Sequence, residues 1–162
     1  MEREWIEVEL HGVHSSSGDV AHTVAVIGPR HASESRLLAL DIGPGDAHFL
    51  WHERRGQETV RSQALCLADR IAAAMGGRVA AAHLVSVGPG LVTAAVVLET
   101  PSGRVEVPTE PGQAIAISVR LDVPLFVDAA LLGPRPSAPE PIGGPLAAFL
   151  DTLDLSGLGD GS

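Results

Sequence analysis

Residues Gly103–Phe126, which read GRVEVPTEPGQAIAISVRLDVPLF, decide the fold. The first residues alternate polar and apolar side chains, a period of two that predicts a strand with one buried face. Pro111 suits the first turn of a helix, because its missing N–H would have no partner there. The run 114–121 is apolar on almost every side, which predicts a helix buried on most of its circumference. Asp122–Pro124 ends that helix, and a further short strand follows.

The same order of elements occurs earlier in the chain. A strand-like run, Leu37–Ile42, is followed by a helix that we expect to begin at Pro44 and to reach about Arg55. The motif Pro-Gly-x-Ala stands at both strand-to-helix joints, at Pro44–Ala47 and at Pro111–Ala114. The other predicted strands are Trp5–Leu10, Ala21–Ile27, Arg78–Val87 and Leu91–Thr100. We therefore predict an α/β (α+β) fold, built from duplicated β-β-β-α units that share a mixed sheet.

An extra helix is expected between the two units. It covers Ser62–Met75 and ends at Gly76, a residue that readily adopts the left-handed conformation after a helix. The helical period predicts a core face of Ala64, Leu67, Ala68, Ile71 and Met75, opposite Ser62, Cys66, Asp69, Arg70 and Ala73. Cys66 is therefore expected on the outer or dimer-facing side.

The composition changes after Leu132. We expect residues 1–132 to form one domain and residues 133–145, with five prolines and three glycines, to form a linker. Residues 146–162 are expected to begin with a short amphipathic helix and to end as a disordered tail.

Composition also limits the possible partners. The net charge of −9 and the scarcity of aromatic residues, 3% of the chain, make nucleic-acid binding doubtful. No apolar run is long enough to cross a membrane, and the charged first residues do not resemble a signal peptide. The single cysteine excludes an internal disulfide and fits a reducing compartment. We therefore expect a cytoplasmic protein without membrane contact.

Two acids and two histidines near the first joint are candidates for chemistry. Asp41 and Asp46 are weak candidates for catalytic carboxylates, although capping and stabilising the helix N-terminus also explains Asp46. His48 and His52 are four residues apart, a spacing that can hold one metal ion, with Glu53 nearby. A solvent-facing helix surface explains the same pair.

Other candidates have a functional and a structural interpretation as well. Arg61 can bind a phosphate or form a surface ion pair. Cys66 has no histidine near it in the sequence, so an inert thiol is favoured over a nucleophile. Gly88–Gly90 lacks the lysine and the following helix of a phosphate-binding loop, so a hairpin turn is favoured.

The chain resembles the bifunctional nuclease domain. The resemblance rests on Leu40–Gly43, the helix that ends at Gly76, the strands after it, and Pro111–Ala116. It covers about Trp5–Leu132, and Phe149–Asp151 also resembles the C-terminal segment of that family. The resemblance implies a compact α/β domain that forms homodimers and cleaves RNA and DNA, with a divalent metal such as Mg²⁺ or Mn²⁺ as the cofactor of that reaction.

The sequence departs from that family at most ionisable positions. Where the family usually has Thr-His-Asp, this chain has Ala64–Cys66, and an Asp after the second helix is replaced by Ser86. An Arg-Asp-Gly turn is replaced by Gly88–Gly90, and an Arg-Pro-Ser-Asp motif by Glu110–Gln113. The apolar and glycine framework is retained while the charged groups are replaced.

Two functions from different classes remain. The first is a dimeric module that has lost catalysis and binds a protein or small molecule, for which the binding candidates are Asp46, Arg61, Glu110 and Gln113. The second is a metal-dependent nuclease in which Asp41 and Asp46 are ligands and Arg61 contacts phosphate. The replaced charges and the acidic composition favour the first.

Overall fold

The computed structural model describes residues 2–15, 22–30 and 36–132. The strands are β1 (Trp5–Ser15), β2 (Thr23–Pro29), β3 (Leu38–Asp41), β4 (Arg78–Gly88), β5 (Leu91–Thr100), β6 (Gly103–Thr109) and β7 (Leu125–Asp128). The helices are α1 (Pro44–Arg54), α2 (Val60–Ala74) and α3 (Pro111–Leu121), and a 3₁₀ turn, Ala129–Leu132, follows β7. The predicted linker and C-terminal helix lie outside the described residues.

Seven strands form one mixed sheet in the order β3-β2-β1-β7-β4-β5-β6. The first three strands form one antiparallel meander, and β4, β5 and β6 form a second. Strand β7 lies between the meanders, antiparallel to β1 and parallel to β4. Because β1 and β4 therefore run in opposite directions, a half turn about the middle of the sheet exchanges the two strand orders. The predicted fold class and the repeated β-β-β-α order are confirmed.

The main core lies between the three helices and one face of the sheet. Phe49 and Leu50 of α1 and Ile115 of α3 are fully buried against Leu84 and Val127 of the sheet. Each such side chain contributes roughly 1.5–3 kcal/mol when it leaves water. The core joins both units, so the two meanders form one packed body.

Two element boundaries differ from the prediction for local reasons. Strand β1 continues to Ser15 through an irregularity between Leu10 and Gly12, whereas the predicted strand ended at Leu10. An extra residue in one strand lets pairing continue beyond it. Helix α2 begins at Val60, because the Thr59 side chain accepts the Ser62 N–H and the Ser62 hydroxyl accepts the Thr59 N–H.

The predicted core face of α2 is wrong. Leu67, Ile71 and Met75 are 54%, 53% and 77% exposed, whereas Leu65 is only 8% exposed. Cys66, placed on the outer side by the helical period, is half-buried and accepts a hydrogen bond from Arg120. The helix turns its polar side inward because that side carries partners for charged groups on α1 and α3.

No helix in the described part of the chain is both long enough and apolar enough to span a bilayer.

Candidate functional site

The first turns of α1 and α3 meet at a single arginine of α2. Asp46 and Gln113 hold the same place in the two Pro-Gly-x-Ala motifs, one at the start of each helix. Arg61 Nη2 lies 2.6 Å from Asp46 Oδ1. The same nitrogen donates to Gln113 Oε1. One guanidinium therefore links equivalent positions of the two units.

This cluster is partly buried. The side chains of Arg61 and Asp46 are 28% and 19% exposed, and the Arg61 guanidinium carbon lies 5.0 Å from the centre of the Phe49 ring. Such a position over a ring adds an attraction between the cation and the π system. Gly112 allows this approach, because a Cβ atom there would overlap the Asp46 carboxylate. At Gly45, the equivalent glycine, a Cβ atom would have no neighbour within 4 Å.

The structure brings together three of the four predicted binding residues. Asp46, Arg61 and Gln113 converge, whereas Glu110 precedes α3 as an exposed residue without a side-chain capping bond. No ion pair of Glu110 is present among the described residues. Its charge therefore faces solvent beside the cluster and does not complete it.

A separate cleft of about 590 Å³ lies between the two units. Its walls are β3, the turn between β4 and β5, Pro111 at the start of α3, and the 3₁₀ turn. Asp41, Ser86 and Gly88–Gly90 line it, and Asp41 is the one ionisable side chain among its described lining residues. The cleft is thus lined by Ser86 and Gly88–Gly90, positions where the resemblance implies charged residues and where this chain has neutral ones.

A second polar cluster, which the sequence analysis missed, ties the three helices together. Arg120 of α3 lies 3.5 Å from Glu53 of α1 and 3.0 Å from Glu58, and its Nε donates to the Cys66 sulfur at 3.2 Å. Ser62 donates to the other oxygen of Glu53. The hydrogen bond to Cys66 raises the pKa of Arg120 above its usual value. Arg120 is the one charged residue of α3, and this lone cation in an otherwise apolar helix could have indicated the cluster from the sequence.

The predicted histidine pair has the geometry of an edge-to-face ring contact near the protein surface. The rings of His48 and His52 lie 4.3 Å apart at 67°, and His52 Nδ1 is 2.6 Å from Gln57 Oε1. Glu53 is engaged by Ser62 and Arg120 and is not available to them. The described residues contain no group of three or more His, Cys, Asp or Glu side chains that could hold a metal ion.

The donor set of the Asp46 cluster does not fit a hard divalent cation. Such ions require several oxygen ligands, usually including more than one carboxylate. Here the one carboxylate is paired with Arg61, and the equivalent position carries an amide that binds the same cation. The cluster positions the first turns of α1 and α3 against α2.

Comparison with known families agrees with the fold. Residues 30–137 match the sequence model of the bifunctional nuclease domain. The match covers more than half of the chain and includes both Pro-Gly-x-Ala joints, α2 and β4–β7. No curated protein sequence matches the chain at a significant level. On the extent of the family match, this chain belongs to the bifunctional nuclease domain family.

Proposed function

We propose that this member of the family has lost phosphodiester hydrolysis and acts as a dimeric binding module for a protein or a small molecule. The observation that carries the proposal is the position of Arg61. Its guanidinium forms an ion pair with Asp46 and donates a hydrogen bond to Gln113. A carboxylate that is neutralised by a guanidinium is a poor ligand for a metal and a poor base.

The remaining chemistry-bearing positions support the same conclusion. Metal-assisted hydrolysis requires groups that hold the ion and a group that activates or positions water. Leu65, Cys66 and Ser86 stand where the resemblance implies His and Asp side chains. Asp41 lines the cleft, whereas Asp46 is not among the cleft residues. The nuclease alternative rests on family membership alone.

The charge of the molecule favours a ligand that is not a polyanion. The net charge is −9, and such a field opposes the approach of RNA or DNA, most strongly at low salt. The cleft is lined by small and apolar residues together with backbone groups, which suit a neutral ligand or an extended peptide. The ligand class that we propose is therefore uncharged or cationic.

The exposed side of α2 supports the dimeric part of the proposal. Val60, Ala64, Leu67 and Ile71 follow one another at spacings of four, three and four residues, the pattern of a helix that packs against another helix. Val60 is 84% exposed, and no residue of this stripe carries a charge. A second copy of α2 can therefore meet the stripe without burying an unpaired ion.

A nuclease assay tests the loss of catalysis. Purified protein is incubated with single-stranded RNA and DNA in the presence of Mg²⁺, Mn²⁺ or Zn²⁺, beside an Asp46→Asn variant. We expect no cleavage above the buffer control from either protein. Cleavage by the wild type that disappears in Asp46→Asn would restore the nuclease alternative, and cleavage that is equal in both would indicate a contaminant or a site without Asp46.

Light scattering at micromolar concentration tests the dimer. We expect a mass of twice 16.8 kDa for the wild type and of 16.8 kDa for the Leu67→Gln/Ile71→Gln variant. Arg70→Gln, which alters a residue beside the stripe, is the matched control and retains the dimer. A wild-type mass of 16.8 kDa would remove the dimer from the proposal.

A further inference from the structure

Helix α1 carries two histidines one turn apart on its outer side. His48 is exposed and His52 is half-buried. Residues four positions apart lie on the same face of a helix, with their Cβ atoms about 5–6 Å apart. The two rings approach each other, with centroids 4.3 Å apart and planes at 67°. The helix therefore holds both imidazoles close to one point in space.

The separation of the rings matches that of two imidazoles on one metal ion. A metal–nitrogen bond is about 2.0–2.1 Å long and a ring nitrogen lies about 1.2 Å from the ring centre, so each ring centre lies about 3.2 Å from the ion. Two such rings have centres about 4.5 Å apart at a right angle and about 5.2 Å apart at the tetrahedral angle. The observed 4.3 Å is close to the right-angle value. The helix backbone therefore needs no rearrangement to present both rings to one ion.

Gln57 fixes the tautomer of His52. His52 Nδ1 lies 2.6 Å from Gln57 Oε1, an oxygen that only accepts hydrogen bonds. Nδ1 therefore carries the proton, and in the neutral ring Nε2 holds the electron pair that binds a metal. Gln57 is itself held in place, because its N–H donates to the His52 carbonyl at 3.0 Å. Histidines that bind metals commonly donate their second ring N–H to such an acceptor, which orients the ring.

Two imidazoles select the class of ion. Imidazole nitrogen suits Cu²⁺, Ni²⁺ and Zn²⁺, whereas Mg²⁺ and Mn²⁺ prefer oxygen ligands. For a given set of ligands, Cu²⁺ binds most tightly among these ions. Square-planar or tetragonal Cu²⁺ places neighbouring ligands at right angles, in agreement with the ring separation, whereas Zn²⁺ is usually tetrahedral. The net charge of −9 also favours the approach of a cation.

We propose that His48 and His52 form a two-histidine site for a divalent transition-metal ion, with Cu²⁺ preferred. Structural metal sites usually have four protein ligands, so this pair leaves positions of the ion open to water or to a ligand from another molecule. The site supplies nitrogen and no carboxylate, because Glu53 is engaged in the Arg120 cluster. The inference does not depend on the proposed function, since neither histidine belongs to the Asp46 cluster or is among the described residues that line the cleft.

The fluorescence of Trp51 reports on this site. The ring centre of Trp51 lies 4.9 Å from that of His52, and Cu²⁺ bound so near quenches tryptophan emission. Trp5→Phe leaves Trp51 as the one tryptophan of the chain. Titration of this protein with Cu²⁺ is expected to quench its emission and to saturate at one ion per chain. In this background, His48→Gln and His52→Gln are each expected to raise the Cu²⁺ concentration for half-quenching at least tenfold.

A control variant and a second measurement locate the ion. His22→Gln, which removes another exposed histidine, is the matched control and is expected to titrate like its parent. Gln57→Ala is expected to weaken binding less than the loss of either histidine, because it removes only the orientation of one ring. Electron paramagnetic resonance of the Cu²⁺ complex is expected to show two ligand nitrogens. Zn²⁺ is expected to displace Cu²⁺ at higher concentration, and Mg²⁺ is expected not to displace it.

Three results would overturn the proposal. The first is an equal half-quenching concentration in the parent and in both His48→Gln and His52→Gln. The second is loss of binding in His22→Gln, which would assign the ion to that histidine. The third is a resonance spectrum with a single ligand nitrogen. Circular dichroism checks the fold of each variant, and if His52→Gln alters it, His48→Gln decides alone, because it changes an exposed residue.

Discussion

At the scale of single residues, the two Pro-Gly-x-Ala motifs differ in how much space their glycines have. A methyl group at Gly112 collides with the Asp46 carboxylate, whereas one at Gly45 enters open space. Gly112→Ala is expected to lower the free energy of unfolding by about 1–3 kcal/mol because the carboxylate or the helix must shift. Gly45→Ala is expected to leave it unchanged or to raise it by up to about 1 kcal/mol, since Ala favours a helix.

Urea denaturation of the two glycine variants decides this comparison. An Asp46→Ala background is expected to reduce the cost of Gly112→Ala, because the colliding carboxylate is then absent. Equal effects of Gly45→Ala and Gly112→Ala would show that the approach of Asp46 to α3 does not exist in solution.

A buried histidine makes stability depend on pH. His83 is 5% exposed, its ring stacks on Trp5 with centroids 4.3 Å apart, and Glu106 lies 3.8 Å away. Burial lowers the pKa of His83 below its usual value of 6.5, against the smaller opposite effect of Glu106. The unfolded chain therefore binds this proton at a higher pH than the folded chain, so stability is lost as pH falls below about 6.5.

The measurement is the urea midpoint of the wild type and of His83→Gln between pH 8 and pH 5. We expect the wild-type midpoint to fall more steeply than that of the variant below pH 6.5. Parallel curves for the two proteins would assign the acid sensitivity to other groups.

At the scale of elements, α2 shows where sequence periodicity fails. Apolar residues occur around most of this helix, so the larger side chains Leu67, Ile71 and Met75 suggested the core face. The burial of Ser62 and the half-burial of Cys66 depend on Glu53 and Arg120, which come from other helices and leave no periodic signal in α2. A periodicity argument therefore identifies an apolar face but not the molecule that covers it.

Truncation of two neighbouring leucines of α2 checks this orientation. Leu65→Ala is expected to lower the free energy of unfolding by about 2–5 kcal/mol, because Leu65 belongs to the core. Leu67→Ala is expected to change it by less than about 1 kcal/mol when both variants are measured in the Ile71→Gln background, which we expect to weaken the dimer. A larger loss from Leu67→Ala than from Leu65→Ala would restore the face predicted from the sequence.

The candidate site was predictable in part. Asp46 and Gln113 follow from their equal places at two predicted joints, and their helices begin where Pro44 and Pro111 predicted. Their meeting at Arg61 required the half-turn relation between the two units, which the order of elements alone does not give. The cleft arises from contacts between segments far apart in sequence, so no local pattern could reveal it. The partners of Arg120 are also distant in sequence, and the lone cation in the apolar sequence of α3 was the one local signal of that cluster.

At the scale of the whole molecule, the continuous sheet and the shared core predict a single unfolding transition. Both tryptophans, Trp5 and Trp51, lie in the first unit, whereas circular dichroism reports on both units. Ile115→Ala, in the second unit, is expected to lower the free energy of unfolding by about 2–5 kcal/mol. The tryptophan fluorescence and circular dichroism midpoints should shift together.

Fluorescence that stays at its wild-type midpoint in Ile115→Ala while circular dichroism shifts would contradict this expectation. It would show that the two β-β-β-α units unfold independently despite the strand between them. The fold prediction would stand in that case, because the order of the strands and helices does not depend on cooperativity.

The central place of β7 has a consequence for the order of folding events. Each meander joins strands that are close in sequence. It can form early, because closing a short loop costs little conformational entropy. Strand β7, Leu125–Asp128, is the last described strand along the chain, yet it pairs with β1 at one side and β4 at the other. The two halves of the sheet therefore remain separate, with exposed inner edges, until residues near 128 have been synthesised. We infer that the insertion of β7 is the late and slow step, since contacts between distant parts of a chain limit folding rates.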